Sequence, residues 1–455
     1  MRRAPGVSLL SDIGRHFLGI LLLTTFVCTR AAAIDLVGVY DLAFTSDPTF
    51  QSAGAANRAT QEVRPQARAQ LLPNVTMSMG TTGNIRDVKD NSIFSSSGTL
   101  GTHKFNSNDF SLDLTQPVYR KDLWIQLGQA DNRIKQADAD YAFALQDLMV
   151  RASQGYFDVL GAQDSLTFAR AALEAFGQQL KQSQQRFEVG LIAITDVEEA
   201  KAGFDLARAE VITAENTLDV AREALREISG VYHQDLAGLS TRMPLVTPEP
   251  ADIDSWTEIA LQQNLRLAAS LYGAEVARDE IRRVEAGHLP VLDIVGRHQR
   301  NRSGSEAARS TSRTEQTSLG IQLNLPIYQG GFTVSRTRES RHLYQQSLDE
   351  VERQRRAAHR QTRDAYLGVI SGISRVQALV QAVKSTESAR AAIEAGFQVG
   401  TRTSVDVLDA EQNLFRAKRD LAVARYNYII DTLTLKQAAG SLSEEDVRLV
   451  NAWLQ

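Results

Sequence analysis

The sequence predicts a mixed α and β chain that closes only as an oligomer: a membrane β-barrel, four strands per chain, continued by a long α-helical coiled-coil barrel. Three observations carry this prediction. The phrase VGLIAITDVEEA at residues 189–200 returns as VGTRTSVDVLDA at residues 399–410, with Asp196 and Asp406 in the same frame. Proline is absent from Pro117 to Pro244 and again after Pro326, and those stretches carry apolar residues every seven positions. Between them lie four short segments that alternate apolar and polar residues.

The duplication sets the organisation. FSLDLTQPVY (residues 110–119) aligns with LGIQLNLPIY (319–328), and LLPNVTM answers HLPVLDI. The first repeat spans residues 34–243, a proline-rich linker covers 244–250, and the second repeat runs through 251–455. Each reads as short helices, strand, polar loop, strand, long helix, V-G turn and helix. A shared order across so many features marks an internal duplication.

The long helices follow from the heptads. Val159, Leu166, Leu173 and Leu180 form one ladder; Tyr366, Ile373 and Val380 form another, with Val369, Val376 and Val383 three positions after each. This is a coiled-coil seam. A helix over residues 123–186 would run on the order of 95 Å. Taken alone, the heptads favour a soluble antiparallel bundle.

The strands argue for a membrane. Phe110, Leu112 and Leu114 alternate with Ser111, Asp113 and Thr115, and Leu319, Ile321, Leu323 and Leu325 alternate with Gly320, Gln322 and Asn324. Val75, Met77 and Met79, and Leu292 with Ile294, repeat the pattern. Such faces suit a half-buried sheet or a barrel with lipid outside and water inside. Long polar stretches at residues 83–108 and 300–317 read as surface loops. Four strands cannot close a barrel, and an open sheet would leave unpaired backbone groups in lipid. Two copies give a narrow ring of eight; three give twelve strands and room for a pore.

Composition excludes other classes. The chain has 455 residues, 23% of them charged, with net charge −4, against a nucleic-acid partner. The seven histidines are scattered without metal-ligand spacing, and no catalytic or nucleotide-binding constellation appears, so no metal, cofactor or enzymatic activity is expected. Residues 17–28 form a short apolar run after Arg2, Arg3 and Arg15, with Ala31 and Ala33 behind it. Residues 1–33 therefore read as a cleavable signal peptide. Val27 before the single cysteine, Cys28, argues against lipidation. No later segment reads as a transmembrane helix.

Four stretches make the chain resemble the TolC family of outer-membrane efflux and secretion channels: RFEVGLIAITDVEEAKAGFD (186–205), GHLPVLDI (287–294), LPIYQGG (325–331) and VGTRTSVDVLDAEQNLFRAKRDLAVARYNYI (399–429). The resemblance covers nearly all of the mature chain. It implies a homotrimer in the outer membrane with a periplasmic helical tunnel. It also implies a function as exit duct of a tripartite efflux or type I secretion system, with a periplasmic adaptor and an inner-membrane ABC, RND or MFS-type pump as partners. The alternative is an exported coiled-coil scaffold without a pore.

The repeated phrase then marks the turn at the far end of the tube. Gly190 and Gly400 suit left-handed helix ends. Thr195 with Glu198 has capping-box spacing, and Thr403 with Asp406 has it more weakly. The resemblance further implies that Asp406 and Asp409 from three chains ring the periplasmic entrance, binding cations and raising carboxylate pKa values. It assigns a gate latch to Arg402 with Thr195 and Asp196, and to the intersubunit pair Gln179 and Glu394. Phe397 stands where a relative has tyrosine, which removes a hydroxyl from that latch.

Overall fold

The computed structural model describes residues 33–88, 101–240, 243–305 and 310–455. The leader with Cys28, and the middles of the two strand-connecting stretches, lie outside the described residues. Three short helices, α1 (Leu36–Ser46), α2 (Pro48–Gln61) and α3 (Val63–Ala69), lead into β1 (Asn74–Val88) and β2 (Gly101–Tyr119). Then come α4 (Lys121–Glu188) and α5 (Ile194–Ser229). The plan returns as α6 (Ile253–Gln263), α7 (Leu265–Glu285), β3 (Val291–Ser305), β4 (Ser310–Asn324), α8 (Phe332–Gln398) and α9 (Ser404–Ala439), and α10 (Glu444–Asn451) follows. The long helices hold 68 and 67 residues, roughly 100 Å each. Their partners α5 and α9 hold 36 residues each.

The four strands form one antiparallel sheet in the order β1-β2-β3-β4. They are longer than the alternation predicts. Pairing continues through Asn84↔Phe105 to Val88↔Gly101, and through Arg300↔Glu315 to Ser305↔Ser310, where the sequence reads as loop. Outside the belt apolar residues are sparse, with Ile85 and Phe105 isolated among polar ones, so the apolar alternation disappears while the backbone ladder persists. Side-chain bonds such as Asn84–Ser107 and Thr81–Asn108 line these outer rungs.

The apolar face settles the choice between the two kinds of sheet. Met77, Met79, Leu319 and Ile321 are 61–77% exposed, so this face has no protein core against it. The belt runs obliquely. On β1 and β2 it centres on Met77↔Leu112, whose neighbour on β3 is His298; on β3 and β4 it centres on Ile294↔Ile321. A four-residue offset is about 13 Å over two strand spacings of about 10 Å. Strands tilted by about 45° produce such a slant when the belt lies level in a bilayer. At the helical end Tyr119, Trp124, Tyr328 and Phe332 stand exposed, as aromatic residues do at a membrane interface.

The helical core sits where α1, α4, α5, α9 and α10 meet, around fully buried Tyr156, Phe157, Tyr428 and Ile429. Tyr156 donates to the Ala237 carbonyl (2.7 Å), and Tyr428 both accepts from and donates to the Val246 backbone (2.8 and 2.9 Å). These bonds fasten the connection between repeats to the helices. One expectation is corrected: α8 contains a stretch with mean hydropathy 1.2, apolar enough by composition to cross a membrane. The apolar residues responsible belong to the seam. Tyr366, Val369, Ile373, Val376 and Val380 pack into the helical core.

Candidate functional site at the helical tips

Each hairpin ends in the same turn. Gly190 (φ 76°) and Gly400 (φ 78°) adopt the left-handed conformation. The amide of Gly190 bonds to the Phe187 carbonyl and Leu191 to that of Arg186; Gly400 and Thr401 do the same with Phe397 and Gly396. This double closure satisfies carbonyls that the helix end leaves open. A side chain at either glycine would have to hold a backbone conformation that L-residues resist.

The following helix starts differ. At the second, Thr403 is the N-cap: its hydroxyl accepts from the Asp406 amide (3.2 Å), and Asp406 accepts from the Thr403 amide (2.9 Å) and hydroxyl (3.1 Å). These bonds, helped by nearby Arg402, hold the Asp406 carboxyl below its usual range. At the first, the N-cap is Ala193 and only Asp196 contributes, accepting from the Ala193 amide (3.3 Å). Thr195 lies inside α5, so the expected Thr195/Glu198 box is absent. The stronger box is the one at Thr403.

A groove between the ends of α4 and α8 and the start of α9 gathers three of the expected latch residues. Gln179, Glu394 and Phe397 all line it. Gln179 is buried and donates to the Ser404 hydroxyl (3.1 Å). Glu394 accepts from Arg390 (3.3 Å), which also holds Glu411 at 2.6 Å. These carboxylates hold the Arg390 guanidinium above its usual pKa, Glu411 foremost. The Phe397 ring lies beneath Arg186, whose guanidinium carbon is 4.4 Å from the ring centroid, a cation–π contact.

Arg402, Thr195 and Asp196 are not brought together: among the described residues no hydrogen bond or ion pair joins them. The Arg402 stem instead lies against Gly396, where a Cβ would come within 2.8 Å of its Cγ. Asp409 follows Asp406 by one helical turn and is exposed. It makes no hydrogen bond or ion pair among the described residues.

Arg186, Arg390, Ser404 and Glu411 are additions that the sequence reading missed. One signal was present: the second ladder continues past Val380 and Val383 as Glu387 and Arg390, charges at seam positions. They meet Lys418 (3.1 Å) and Glu411 on α9.

Comparisons with known proteins follow the same layout. The family described as "Outer membrane efflux protein" matches residues 39–231 and 256–441. The outer membrane protein TolC of Vibrio cholerae is 38% identical over 93% of this chain and 94% of its own length. The alkaline protease secretion protein AprF of Pseudomonas aeruginosa is 31% identical over 93% and 88%. Among solved structures, the Campylobacter jejuni CmeC outer membrane channel superposes with a TM-score of 0.75 over 92% of this chain and 90% of its own, at 14% identity.

Proposed function

The chain belongs to the outer membrane efflux protein family, and from that premise we propose that it is the outer-membrane exit duct of a tripartite efflux or type I secretion system. One observation supports this above the others: an open sheet with a bare apolar belt stands on helical hairpins roughly 100 Å long. Strands β1 and β4 leave two unpaired edges, and lipid tolerates none. Three copies closed edge to edge give twelve strands, with the polar face lining a lumen. The helices continue that lumen across the periplasm to an adaptor and an inner-membrane ABC, RND or MFS-type pump, which supplies energy and selects cargo. A coiled-coil scaffold has no use for the belt.

At the periplasmic entrance the proposed ring is Asp406 and Asp409 from each chain. Asp406 has its cap, whereas Asp409 is free to face the opening. The proposed latch joins Arg402 to Thr195 and Asp196, and Gln179 to Glu394 of adjacent hairpins. Phe397 contributes packing beneath Arg186 rather than a polar bond.

Planar-bilayer recording of the detergent-purified protein tests the proposal. A trimer should conduct, and a trivalent cation on the periplasmic side should block it. Asp406→Ala/Asp409→Ala should conduct without block, and Arg402→Ser should conduct more than wild type. A folded protein that stays monomeric in mild detergent overturns the duct. Full block of the double variant overturns the ring.

A further inference from the structure

Antiparallel register fixes which side chains share the lipid face. Phe110 lies beside Arg300, and Arg300 beside Glu315; one row further out, Asn108 lies beside Arg302, and Arg302 beside Arg313. Phe110 also pairs with Met79, the last residue of the apolar belt on β1. Arg300, Arg302 and Arg313 therefore stand on the lipid side, at and just beyond the belt's edge. This is the hairpin end of the sheet, opposite the helices. Since the helical tunnel is periplasmic, the three arginines sit at the headgroup level of the outer leaflet.

Their charges are not balanced. Glu315 is shared: Arg300 reaches it at 3.0 Å, Arg313 at 3.8 Å and His298 at 3.8 Å. Arg302 has no carboxylate partner among the described residues. It is nevertheless directly opposite Arg313, where like charges on one face oppose pairing. On the lumen face the corresponding arginine, Arg297, is neutralised by Asp113. At the helical end of the sheet exposed aromatic residues stand instead (Tyr119, Trp124 and Tyr328).

We propose that Arg302 and Arg313, supported by Arg300, bind the phosphate of a phosphorylated lipid headgroup in the outer leaflet. Guanidinium forks match phosphate oxygens bidentately. One phosphate between the two arginines turns their repulsion into two charge-assisted contacts. The acyl chains then fall along the belt formed by Phe110, Met79, Leu112 and Met77. The inference rests on outer-membrane placement, not on which cargo passes through the lumen.

The test uses the purified trimer in neutral maltoside detergent, with bis-phosphorylated lipid A, its dephosphorylated form, or inorganic phosphate as probes. Wild type should retain the phosphorylated glycolipid and melt at higher temperature with it, while the dephosphorylated form and inorganic phosphate leave melting unchanged. Arg302→Gln/Arg313→Gln should weaken retention on the order of tenfold or more, the loss of two charge-assisted contacts. Without lipid, the same variant should melt at or above wild type, because the like-charge pair is gone. A structural role would not reverse sign with lipid. Arg297→Gln, the same charge change on the lumen face, should retain lipid as wild type does.

Equal retention by wild type and the double variant, or equal loss in Arg297→Gln, overturns the proposal. Stabilisation by inorganic phosphate equal to that by lipid overturns the lipid occupant. If the double variant does not assemble, the wild-type contrast between phosphorylated and dephosphorylated glycolipid decides alone, and equal retention of the two overturns the site.

Discussion

The two helical tips share one backbone and differ in what secures it. Both turn on a left-handed glycine with the same pair of carbonyl bonds. The second tip adds a two-way box at Thr403/Asp406 and ion pairs Arg390–Glu411 and Glu387–Lys418 between α8 and α9. The first has Ala193 where the threonine stands, and its α4–α5 ion pair, Arg170–Glu215, lies among exposed side chains. Its apolar residues are bare: Leu191, Ile194 and Leu206 are 50–73% exposed. Position 186 in one repeat is arginine and its counterpart 396 in the other is glycine. Arg186 reaches across to Phe397, while Gly396 makes room for Arg402. Duplication supplied the turn, and divergence made one tip firm within its own chain and left the other with fewer ties of its own.

Removing the strongest tie at the firm tip should have the largest effect. Glu411 is buried, and Arg390 is the cation that holds it. Arg390→Ala leaves that carboxylate without its charged donor, a loss of about 1.5–3 kcal/mol in local stability. Hydrogen exchange of the α9 amides near Glu411 should show it, with α5 amides unchanged. Arg390→Ala/Glu411→Leu should recover most of the loss, because no orphaned charge remains. Equal loss in single and double variants would place the effect in packing rather than in the pair.

The caps come next, and they can be exchanged. Thr403→Ala removes one leg of the second box and should cost about 1 kcal/mol at the start of α9. Ala193→Thr supplies the missing leg to the first tip and should gain about 0.5–1 kcal/mol there. Exchange protection of the Asp406 and Asp196 amides measures both. The asymmetry is sharpened if the two changes have opposite sign. It is broken if Ala193→Thr gains nothing, since the first tip would then be limited by its open surface.

These differences show where the sequence was legible. Glycines at 190 and 400 and the sevenfold ladders declare themselves, because a left-handed residue and a coiled-coil seam each admit few residue types. The apolar belt was visible for the same reason, but its orientation was not. Alternation is identical for a half-buried sheet and a lipid-facing one, and only exposure of Met77 and Ile321 distinguishes them. Strand ends were hidden where apolar residues are too sparse to alternate. The Thr195 cap was misplaced because a threonine near a helix start looks the same at the N-cap or two residues further in. Arg186 over Phe397 joins different repeats, and no local pattern predicts such a contact.

The smallest expected effect is the response of the firm tip to acid, and its sign follows from the cap. Asp406 accepts two bonds from Thr403, which hold its carboxyl below the ordinary 3.8. A carboxyl depressed on folding stabilises the fold fully above its unfolded pKa, and the contribution is lost as pH falls through the folded one. The firm tip should therefore keep its cap at neutral pH and release it only below about pH 4. The proposed three-chain ring would act in the opposite direction, because carboxylates brought close together raise one another's pKa. The cap bonds act at contact, whereas charges across an opening are screened over about 10 Å at 0.1 M salt. The cap should win, leaving the midpoint below 3.8 in the trimer. Protection of the Thr403 amide, corrected for intrinsic exchange, should stay level from pH 7 to 4 and fall beneath it. Asp406→Asn should start lower and lose the pH dependence. A wild-type midpoint above 3.8 would mean that the ring, not Thr403, governs this carboxylate. Raising the salt concentration should then bring that midpoint down, whereas a midpoint set by the cap should stay where it is.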